Sequence, residues 1–278
     1  MALHVIADSS CDMFDGDLAS DNFDLVTVPF SMRVGEVEYV DDASLSVPAF
    51  LDAMEACKEA GSSSCPSPHV WAQQFARFKE SIAVTISVGL SGSFGSAEVA
   101  RDMTCAEDPE KHIELLDCRA TGTAALLAIH NMAAWANEGL PVDEIFARAK
   151  ATVAETKTVF ALSSFGNLVK NGRVSKFTGL LAKTLNMWGI GIEKDGTIAM
   201  KSKVKGSARM LKGIVADMEE RGFKGIEAAI THVQNAQMAE ALRDMILTKY
   251  PNARVLLGPT RGLDSFYAER GGLIVSYR

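Results

Sequence analysis

The chain contains an uncharged run, Ile82–Val88, in which β-branched and small residues follow one another. A run of this kind is typical of a strand that is buried on both faces of a parallel sheet. The next residues, Gly89–Ser93, tolerate tight turns and carry hydroxyl groups. From Phe94 onward the apolar residues have helical spacing, which predicts a helix that begins here with Ser91 or Ser93 as its N-cap.

A strand, a hydroxyl-rich loop and a helix in this order favour the binding of an anion. The first N–H groups of a helix have no intrahelical partner, and the positive end of the helix dipole faces the loop. A second loop of this kind is Gly61–Trp71, in which Ser67 followed by Pro68 predicts another helix start. Two interpretations stay open here: the loops jointly bind one carboxylate or phosphate, or they are ordinary capped helix starts.

The first half of the chain alternates between strand patterns and helix patterns, and the last helix pattern ends near Glu155. Four apolar runs have the length of strands: Leu3–Ala7, Leu25–Phe30, Ile82–Val88 and Ile113–Cys118. The stripe of Trp71, Phe75 and Phe78 on one predicted helix is interpreted as core. We predict a Rossmann-like domain over residues 1–155, with a parallel sheet and helices on both faces.

The second half mixes hairpins with helices. The segments Met187–Glu193 and Ile198–Val204 flank an Asp-Gly turn, which predicts an antiparallel hairpin. A helix is predicted over Phe177–Leu185, and alternating strands and helices follow up to a last strand at Leu273–Tyr277. The fold class is therefore α/β, with a second, α+β domain over residues 156–278 that contains a mixed sheet.

The amino-acid composition argues against nucleic-acid-binding, membrane-spanning and metal-binding proteins. The 278 residues carry a net charge of −7, from 28 basic and 35 acidic side chains, which argues against nucleic acid as a partner. No apolar stretch approaches the about 20 residues that a membrane-spanning helix needs, and the first residues do not resemble a signal peptide. Five cysteines without a Cys-x-x-Cys pair fit reduced thiols in a cytoplasmic protein. The histidine and cysteine spacing predicts no metal site and no cofactor.

Sequence motifs argue against several kinds of catalysis. Gly89-x-Ser91-Gly-Ser93 is near the nucleophile elbow of hydrolases, but Ser93 occupies the position of its second glycine. The chain has neither a dinucleotide fingerprint nor a Gly-Lys-Ser/Thr phosphate loop. The segment Asp8–Asp12 follows the first strand at the ligand-binding edge of the sheet, or it forms a capped turn. The motifs indicate a binding site; a hydrolase or a small-molecule kinase-like enzyme acting at the Ser91 loop is the alternative.

Several segments resemble, in order, the landmarks of DegV-type fatty-acid-binding proteins. The opening Val5–Asp12 is similar to an Asp-Ser-x-x-Asp motif, and Ser63–Ser67 is similar to Thr-Ser-Gln-Pro-Ser. The segment Ile86–Ala97 is similar to Ser-x-x-Leu-Ser-Gly-Thr-Tyr-x-Ser-Ala. Two later segments, Leu116–Gly122 and Leu168–Ser175, match further landmarks of the family.

The resemblance implies a non-catalytic protein that holds one long-chain fatty acid, such as palmitate, stearate or oleate, in an apolar tunnel between its domains. The family's carboxylate-binding groups fall on Ser63, in place of threonine, on Ser91 and on the Gly92 N–H. The implied partner is the catalytic subunit of a fatty acid kinase, which phosphorylates the acid for phospholipid synthesis, and a transient membrane contact fits this role. The full set of expected contacts is Ser63, Ser64, Ser91, Gly92, Ser93, Arg173 and Arg261.

The chain also departs from the family pattern. Family members often carry a His-x-Gly-Pro-Gly segment, whereas Leu256–Leu263 has no histidine, so Thr260 or Arg261 is expected in its place. The family's basic residue after the hairpin corresponds here to Lys205. The chain is 47% hydrophobic and contains 12 methionines, which adapt to irregular cavities and fit an acyl chain, although each is also an ordinary core residue.

Overall fold

Two large β-sheets form the centre of the structure, a computed structural model that describes residues 2–174 and 186–278. The strands are β1 (Leu3–Asp8), β2 (Phe23–Val28), β3 (Ser31–Val34), β4 (Val37–Val40), β5 (Ser62–Ser64), β6 (Glu80–Thr85), β7 (His112–Asp117), β8 (Lys157–Leu162), β9 (Met187–Lys194), β10 (Thr197–Lys205), β11 (Glu227–His232), β12 (Arg254–Pro259) and β13 (Leu273–Tyr277). The helices are α1 (Val47–Ala56), α2 (Pro68–Phe75), α3 (Ser93–Glu107), α4 (Thr123–Asn137), α5 (Val142–Glu155), α6 (Gly166–Lys170), α7 (Ser207–Glu220), α8 (Ala236–Lys249) and α9 (Gly262–Ala268). Within the described ranges, no helix combines the length and the apolar character needed to cross a membrane.

The first sheet is parallel and has the strand order β2-β1-β6-β7. Both of its faces are covered, because successive β1 side chains enter different clusters: Val5 packs among α4 and α5, and Ile6 among α2 and α3. Trp71 and Phe75 are fully buried in the second of these clusters, which confirms that the aromatic stripe is core. Apolar residues on both faces explain why the strand patterns are continuous runs.

The second sheet is mixed, with the order β10-β9-β8-β13-β11-β12. Its β9–β10 hairpin turns at Asp195 and Gly196, which both have positive φ, as a two-residue Asp-Gly turn requires. One face of the sheet packs on α7 and α8, and the other face points toward the first sheet and α9. The predicted α/β class with one parallel and one mixed sheet is confirmed. The boundary near residue 155 stays a prediction and falls just before β8.

A third, small sheet with the order β4-β3-β5 was not predicted from the sequence. The segment Ser62–Ser64 was expected to be part of a loop, and it instead pairs with β3, with Ser63 opposite Met32. Three consecutive serines give no hydrophobic alternation, so only the tertiary pairing reveals this strand. The predicted helix over Phe177–Leu185 lies outside the described residues.

The face of the mixed sheet that points toward the first sheet is lined by alternate residues of β8, namely Thr158, Phe160 and Leu162. Phe160 lies opposite Gly191 of β9, and a Cβ at residue 191 would overlap the phenyl ring. Gly191 therefore gives Phe160 the space in which its ring lies against the sheet.

We expect Gly191→Ala to lower the free energy of unfolding by about 1–3 kcal/mol, because the added methyl group must displace the Phe160 ring. Urea unfolding followed by circular dichroism measures this change. Gly95→Ala in α3 is the matched control, since an added Cβ there meets no atom within 4 Å. The control should leave the stability unchanged or raise it by up to about 1 kcal/mol. Equal stability of the two variants would contradict the packing role of Gly191.

Candidate ligand-binding site

One cavity brings together most of the residues that the sequence marked as ligand contacts. It has a volume of about 360 Å³ and lies between β5, the loop after β6 and the helices α6 and α9. We call it the hydroxyl cavity. Five expected contacts line it: Ser63, Ser64, Ser91, Gly92 and Arg173.

Ser63 reaches the cavity because β5 pairs with β3 and its central side chain turns inward. Its hydroxyl lies 2.8 Å from the phenol oxygen of Tyr267, which also lines the cavity. Either oxygen is able to donate in this pair, and the hydroxyl that accepts keeps its own O–H for an anion in the cavity. Tyr267 thus places a second hydroxyl beside the one that the sequence indicated.

The Ser91 loop leads directly into α3, whose N-cap is Gly92 and whose first residue is Ser93. Neither serine is the N-cap, but the Ser91 hydroxyl accepts a hydrogen bond of 3.2 Å from the Ser93 N–H. This bond leaves the Ser91 O–H free to act as a donor. The loop is held in place by Ser87, whose hydroxyl donates to the Gly196 carbonyl at the tip of the β9–β10 hairpin at 2.6 Å.

Arg173 lies at the rim of the hydroxyl cavity, where it follows α6. Its Nε donates a hydrogen bond of 2.7 Å to the Leu90 carbonyl, and its Nη1 donates to the Asn171 carbonyl. Both acceptors are neutral carbonyl groups, so these bonds do not compensate the positive charge of the guanidinium beside the cavity. Arg173 therefore connects the Ser91 loop to the chain after α6 and raises the electrostatic potential at the site.

Ser93 is not among the residues that line the cavity. Its side chain is completely buried and donates a hydrogen bond of 2.7 Å to Asp8. Asp8 also accepts from the Ser10 hydroxyl and from the Ile86 N–H at 3.0 Å, and burial raises its pKa to about 6. Asp8 and Ser93 therefore act as an internal support that joins the end of β1 to the Ser91 loop.

Arg261 also lies outside the cavity wall. It is only 3% exposed, donates to the carbonyls of Met13 and Asp41, and stacks on Phe14. Thr260 is also buried and bonds to the His232 carbonyl and the Ser265 hydroxyl. The expectation that one of them takes the place of the family's histidine is not supported by these contacts. Tyr267, near the end of α9, instead brings a hydroxyl group to the cavity.

Asp41 explains the burial of Arg261. Its carboxylate accepts hydrogen bonds from the Gly262 and Leu263 N–H groups at 2.8 and 2.9 Å, and one oxygen lies 3.6 Å from the Arg261 Nε. The Ser9 hydroxyl donates to the same carboxylate at 2.9 Å. Asp41 therefore fixes the first turn of α9 against the start of the chain.

Two buried carboxyl groups lie together at this site: Asp264 lines the cavity, and Asp12 lies behind it. The Thr121 hydroxyl donates to Asp264 at 2.6 Å, while the free oxygens of both aspartates face Gly122. Burial and the neighbouring negative charge raise the pKa of Asp264 well above its usual value, and burial also raises that of Asp12. Two negative charges this close together repel each other, so the pair resists full ionisation. Gly122 has a φ of 55°, and a Cβ there would overlap Asp264.

Sequence reasoning missed the contributions of Thr121, Asp264 and Tyr267. Asp264 and Tyr267 lie on α9, more than 170 residues beyond Ser91 along the chain. The short amphipathic pattern after Gly262 was a signal for a helix, but nothing local showed which neighbour it packs against.

A narrow cavity with an almost entirely apolar wall continues from the hydroxyl cavity. We call it the apolar channel; its volume is about 40 Å³. The two cavities share six lining residues: Leu90, Thr121, Leu168, Ile198, Asp264 and Tyr267. Beyond these, the channel is bounded by Phe160, Leu162 and Ile274 of the mixed sheet. A polar cavity that leads into an apolar channel is suited to an amphiphile with an anionic end.

The chemistry available at this site is hydrogen bonding to an anion. In the described ranges, the hydroxyls of Ser63 and Ser91 bond to Tyr267 and to a backbone N–H, and neither bonds to a histidine or carboxylate base. One group of potential metal ligands occurs in the same ranges, at the opposite edge of the parallel sheet: His112, Glu114 and Asp143. Its side chains pair with one another at 3.6 and 3.7 Å, and the nearby carboxylates raise the pKa of His112.

Comparison with known proteins identifies close relatives over the full chain. A family model described as an uncharacterised protein of the DegV family matches residues 2–276. A DegV domain-containing protein from Streptococcus gordonii is 34% identical over 280 residues, which cover 100% of this chain and 99% of the relative.

Two solved structures are similar over 100% of this chain and 99% of their own. The Fatty Acid Kinase (Fak) B3 protein of Streptococcus pneumoniae, loaded with linoleic acid, has a TM-score of 0.95 and 32% identity. A DegV family protein from Eubacterium eligens, loaded with heptadecanoic acid, has a TM-score of 0.93 and 30% identity.

The burial of Asp8 predicts a pH-dependent contribution to stability. Its pKa in the folded protein, about 6, is above the unfolded value of 3.8, so the folded state binds more protons between these values. The contribution is complete below about pH 4 and is lost as the pH rises through 6, with an upper limit of about 3 kcal/mol. Urea unfolding at pH 4.5 and 7.5 should show that wild type loses stability relative to Asp8→Asn as the pH rises. The exposed substitution Asp21→Asn is the control, and the same trend in it would contradict the assignment to Asp8.

Proposed function

The chain belongs to the DegV family, and from this we propose that it binds one long-chain fatty acid in the hydroxyl cavity and the apolar channel. The carboxylate lies between Ser63 and Ser91, with Tyr267, Ser64 and the Gly92 N–H as further donors. The acyl chain enters the channel along Leu168 and Ile198.

The observation that carries the proposal is the continuity of the two cavities. Hydroxyl groups and the Arg173 charge lie at one end, and the six shared residues lead into an apolar wall. Each CH₂ group that leaves water contributes about 0.8 kcal/mol, and charge-assisted hydrogen bonds favour the ionised head group. A long-chain carboxylate fits this arrangement, with its head group in the hydroxyl cavity and its acyl chain in the apolar channel.

The channel must widen when an acyl chain enters. Its volume of about 40 Å³ has room for only a few water molecules, since a cavity needs about 10–15 Å³ to hold one. The flexible side chains of Leu90, Leu168 and Ile198 line it and are able to move apart. Binding therefore includes a local repacking that costs free energy. Ligands with a longer acyl chain offset this cost by burying more CH₂ groups.

We also propose that the bound acid is presented to the catalytic subunit of a fatty acid kinase, with this chain as the non-catalytic partner. Support comes from the similarity to the Fatty Acid Kinase (Fak) B3 protein over the full chain. The exposure of Gly92 and the partial burial of Arg173 support a position of the head group near the surface of the protein. The five free thiols support a cytoplasmic location for this role.

The experiment that tests binding is native mass spectrometry of the purified protein, followed by denaturation and analysis of the released lipid. A stoichiometric long-chain fatty acid supports the proposal and gives its chain length. The proposal is contradicted if the purified protein contains no lipid and does not bind added palmitate or oleate. Covalent labelling of Ser91 by a serine-reactive phosphonate would instead favour the hydrolase alternative.

We expect the double substitution Ser63→Ala and Ser91→Ala to weaken palmitate binding about 100-fold, because each substitution removes a hydrogen bond to the palmitate carboxylate. Displacement of a fluorescent fatty acid measures the affinity. Ser62→Ala is the matched control, since it lies in the same strand with an exposed side chain that does not line the cavity. An unchanged affinity in the double variant, or an equal loss in the control, would refute this assignment of the head group.

We expect the palmitate-loaded protein to support ATP-dependent formation of an acyl phosphate by a fatty acid kinase catalytic subunit from a Streptococcus species. Trapping with hydroxylamine measures the product as a hydroxamate. Arg173→Gln should lower this yield at saturating palmitate, because the guanidinium fixes the loop beside the head group. Lys205→Gln tests the other basic residue that the family pattern indicates. Product formation from free palmitate at the same rate would contradict the presentation role.

A further inference from the structure

A third cavity lies at the far end of the apolar channel, between α5, the start of β8 and the end of β9. Its volume is about 310 Å³, and we call it the cationic recess. Six charged side chains line it: Arg119, Lys157, Lys194 and Arg221, together with Glu193 and Asp195.

The charges of the recess do not cancel. Arg221 is paired, since it lies 3.5 Å from Glu193 and also bonds to the Thr158 carbonyl. The side chains of Arg119, Lys157 and Lys194 make no hydrogen bond or ion pair with any residue in the described parts of the chain. Asp195 is the remaining acid in the wall. Asp117 and Arg119 interact electrostatically, but their side chains form no ion pair.

This local excess of positive charge is unexpected in a chain with a net charge of −7. Residues 175–185, outside the described ranges, contain no aspartate or glutamate and add no compensating acid. Three unpaired cations around one cavity attract an anion, and the planar guanidinium of an arginine matches a carboxylate in a bidentate pair.

The recess adjoins the apolar channel. The two cavities share the lining residues Arg119, Ala120, Thr158 and Glu193. Along the molecule, a polar cavity with hydroxyls and Arg173 is therefore followed by an apolar channel and then by a second polar cavity with unpaired cations. An ordinary fatty acid has one polar end and leaves the second polar cavity unused.

We propose that the ligands of this protein include long-chain α,ω-dicarboxylic acids, whose second carboxylate lies in the cationic recess. This inference rests on the proposed function and extends it to a class of ligand. A channel with a closed apolar end would reject such an acid, because burial of an unpaired carboxylate is very costly. Arg119, Lys157 and Lys194 remove this penalty by pairing with the second carboxylate.

The first experiment compares the dissociation constants of palmitate, hexadecanedioate and the monomethyl ester of hexadecanedioate at low and physiological salt. We expect hexadecanedioate to bind at least as tightly as palmitate and more tightly than the monomethyl ester, with the advantage decreasing as salt rises. A hexadecanedioate affinity more than 100-fold below that of palmitate overturns the inference and leaves the proposed function intact. If palmitate itself does not bind, the proposed function fails.

The second experiment removes the ammonium charges of the recess with Lys157→Gln and Lys194→Gln combined, since neither lysine lines the apolar channel. We expect hexadecanedioate to bind at least tenfold more weakly, while palmitate binding changes less than twofold. The matched control removes two exposed cations elsewhere, with Lys58→Gln and Lys212→Gln. An equal loss of hexadecanedioate affinity in both double variants would show a general charge effect and overturn the inference. Urea unfolding checks that both variants are folded.

Discussion

The carboxylate of Asp41 is the contact on which the binding site depends. It accepts the N–H groups of Gly262 and Leu263 and lies against the buried Arg261, so it holds α9 in position. Helix α9 in turn provides Tyr267 and part of the wall shared by the hydroxyl cavity and the apolar channel. A buried charge is costly unless it is paired and hydrogen-bonded, and Asp41 meets both conditions through contacts that exist only when α9 is docked.

The site is surrounded by carboxyl groups whose pKa burial raises. Asp264 lines the walls, Asp8 and Asp12 lie behind them, and burial raises the pKa of all three carboxyl groups above the values in the unfolded chain. This arrangement gives up stability for a rigid set of hydrogen bonds around the Ser91 loop and Gly122. The same low dielectric strengthens the hydrogen bonds that the hydroxyls offer to an anionic ligand. The buried aspartates lower the stability of the fold, and in return they hold the hydroxyl donors of the cavity in a fixed geometry.

The sequence predicted those parts of the site that are coded locally. Ser91 follows β6 and precedes α3, so its position at the edge of the parallel sheet is a consequence of the chain pattern. Ser63 was indicated by the hydroxyl-rich run that precedes α2. Which hydroxyl of such a loop faces the ligand is decided by packing, and Ser93 instead faces the buried Asp8. Tyr267 comes from a helix whose docking depends on contacts far along the chain. The strand at Ser62–Ser64 was missed for the same reason, since its only signal is the pairing with β3.

Strand β13 has a consequence for the order in which the mixed sheet assembles. It follows all the other strands of that sheet along the chain, yet it lies in the middle of the sheet, between β8 and β11. Until β13 is in place, the two halves of the sheet have no shared edge. The face of β8 that carries Phe160 then has no neighbour at Ile274. The wall of the apolar channel is therefore completed by the strand that comes latest in the sequence of this sheet.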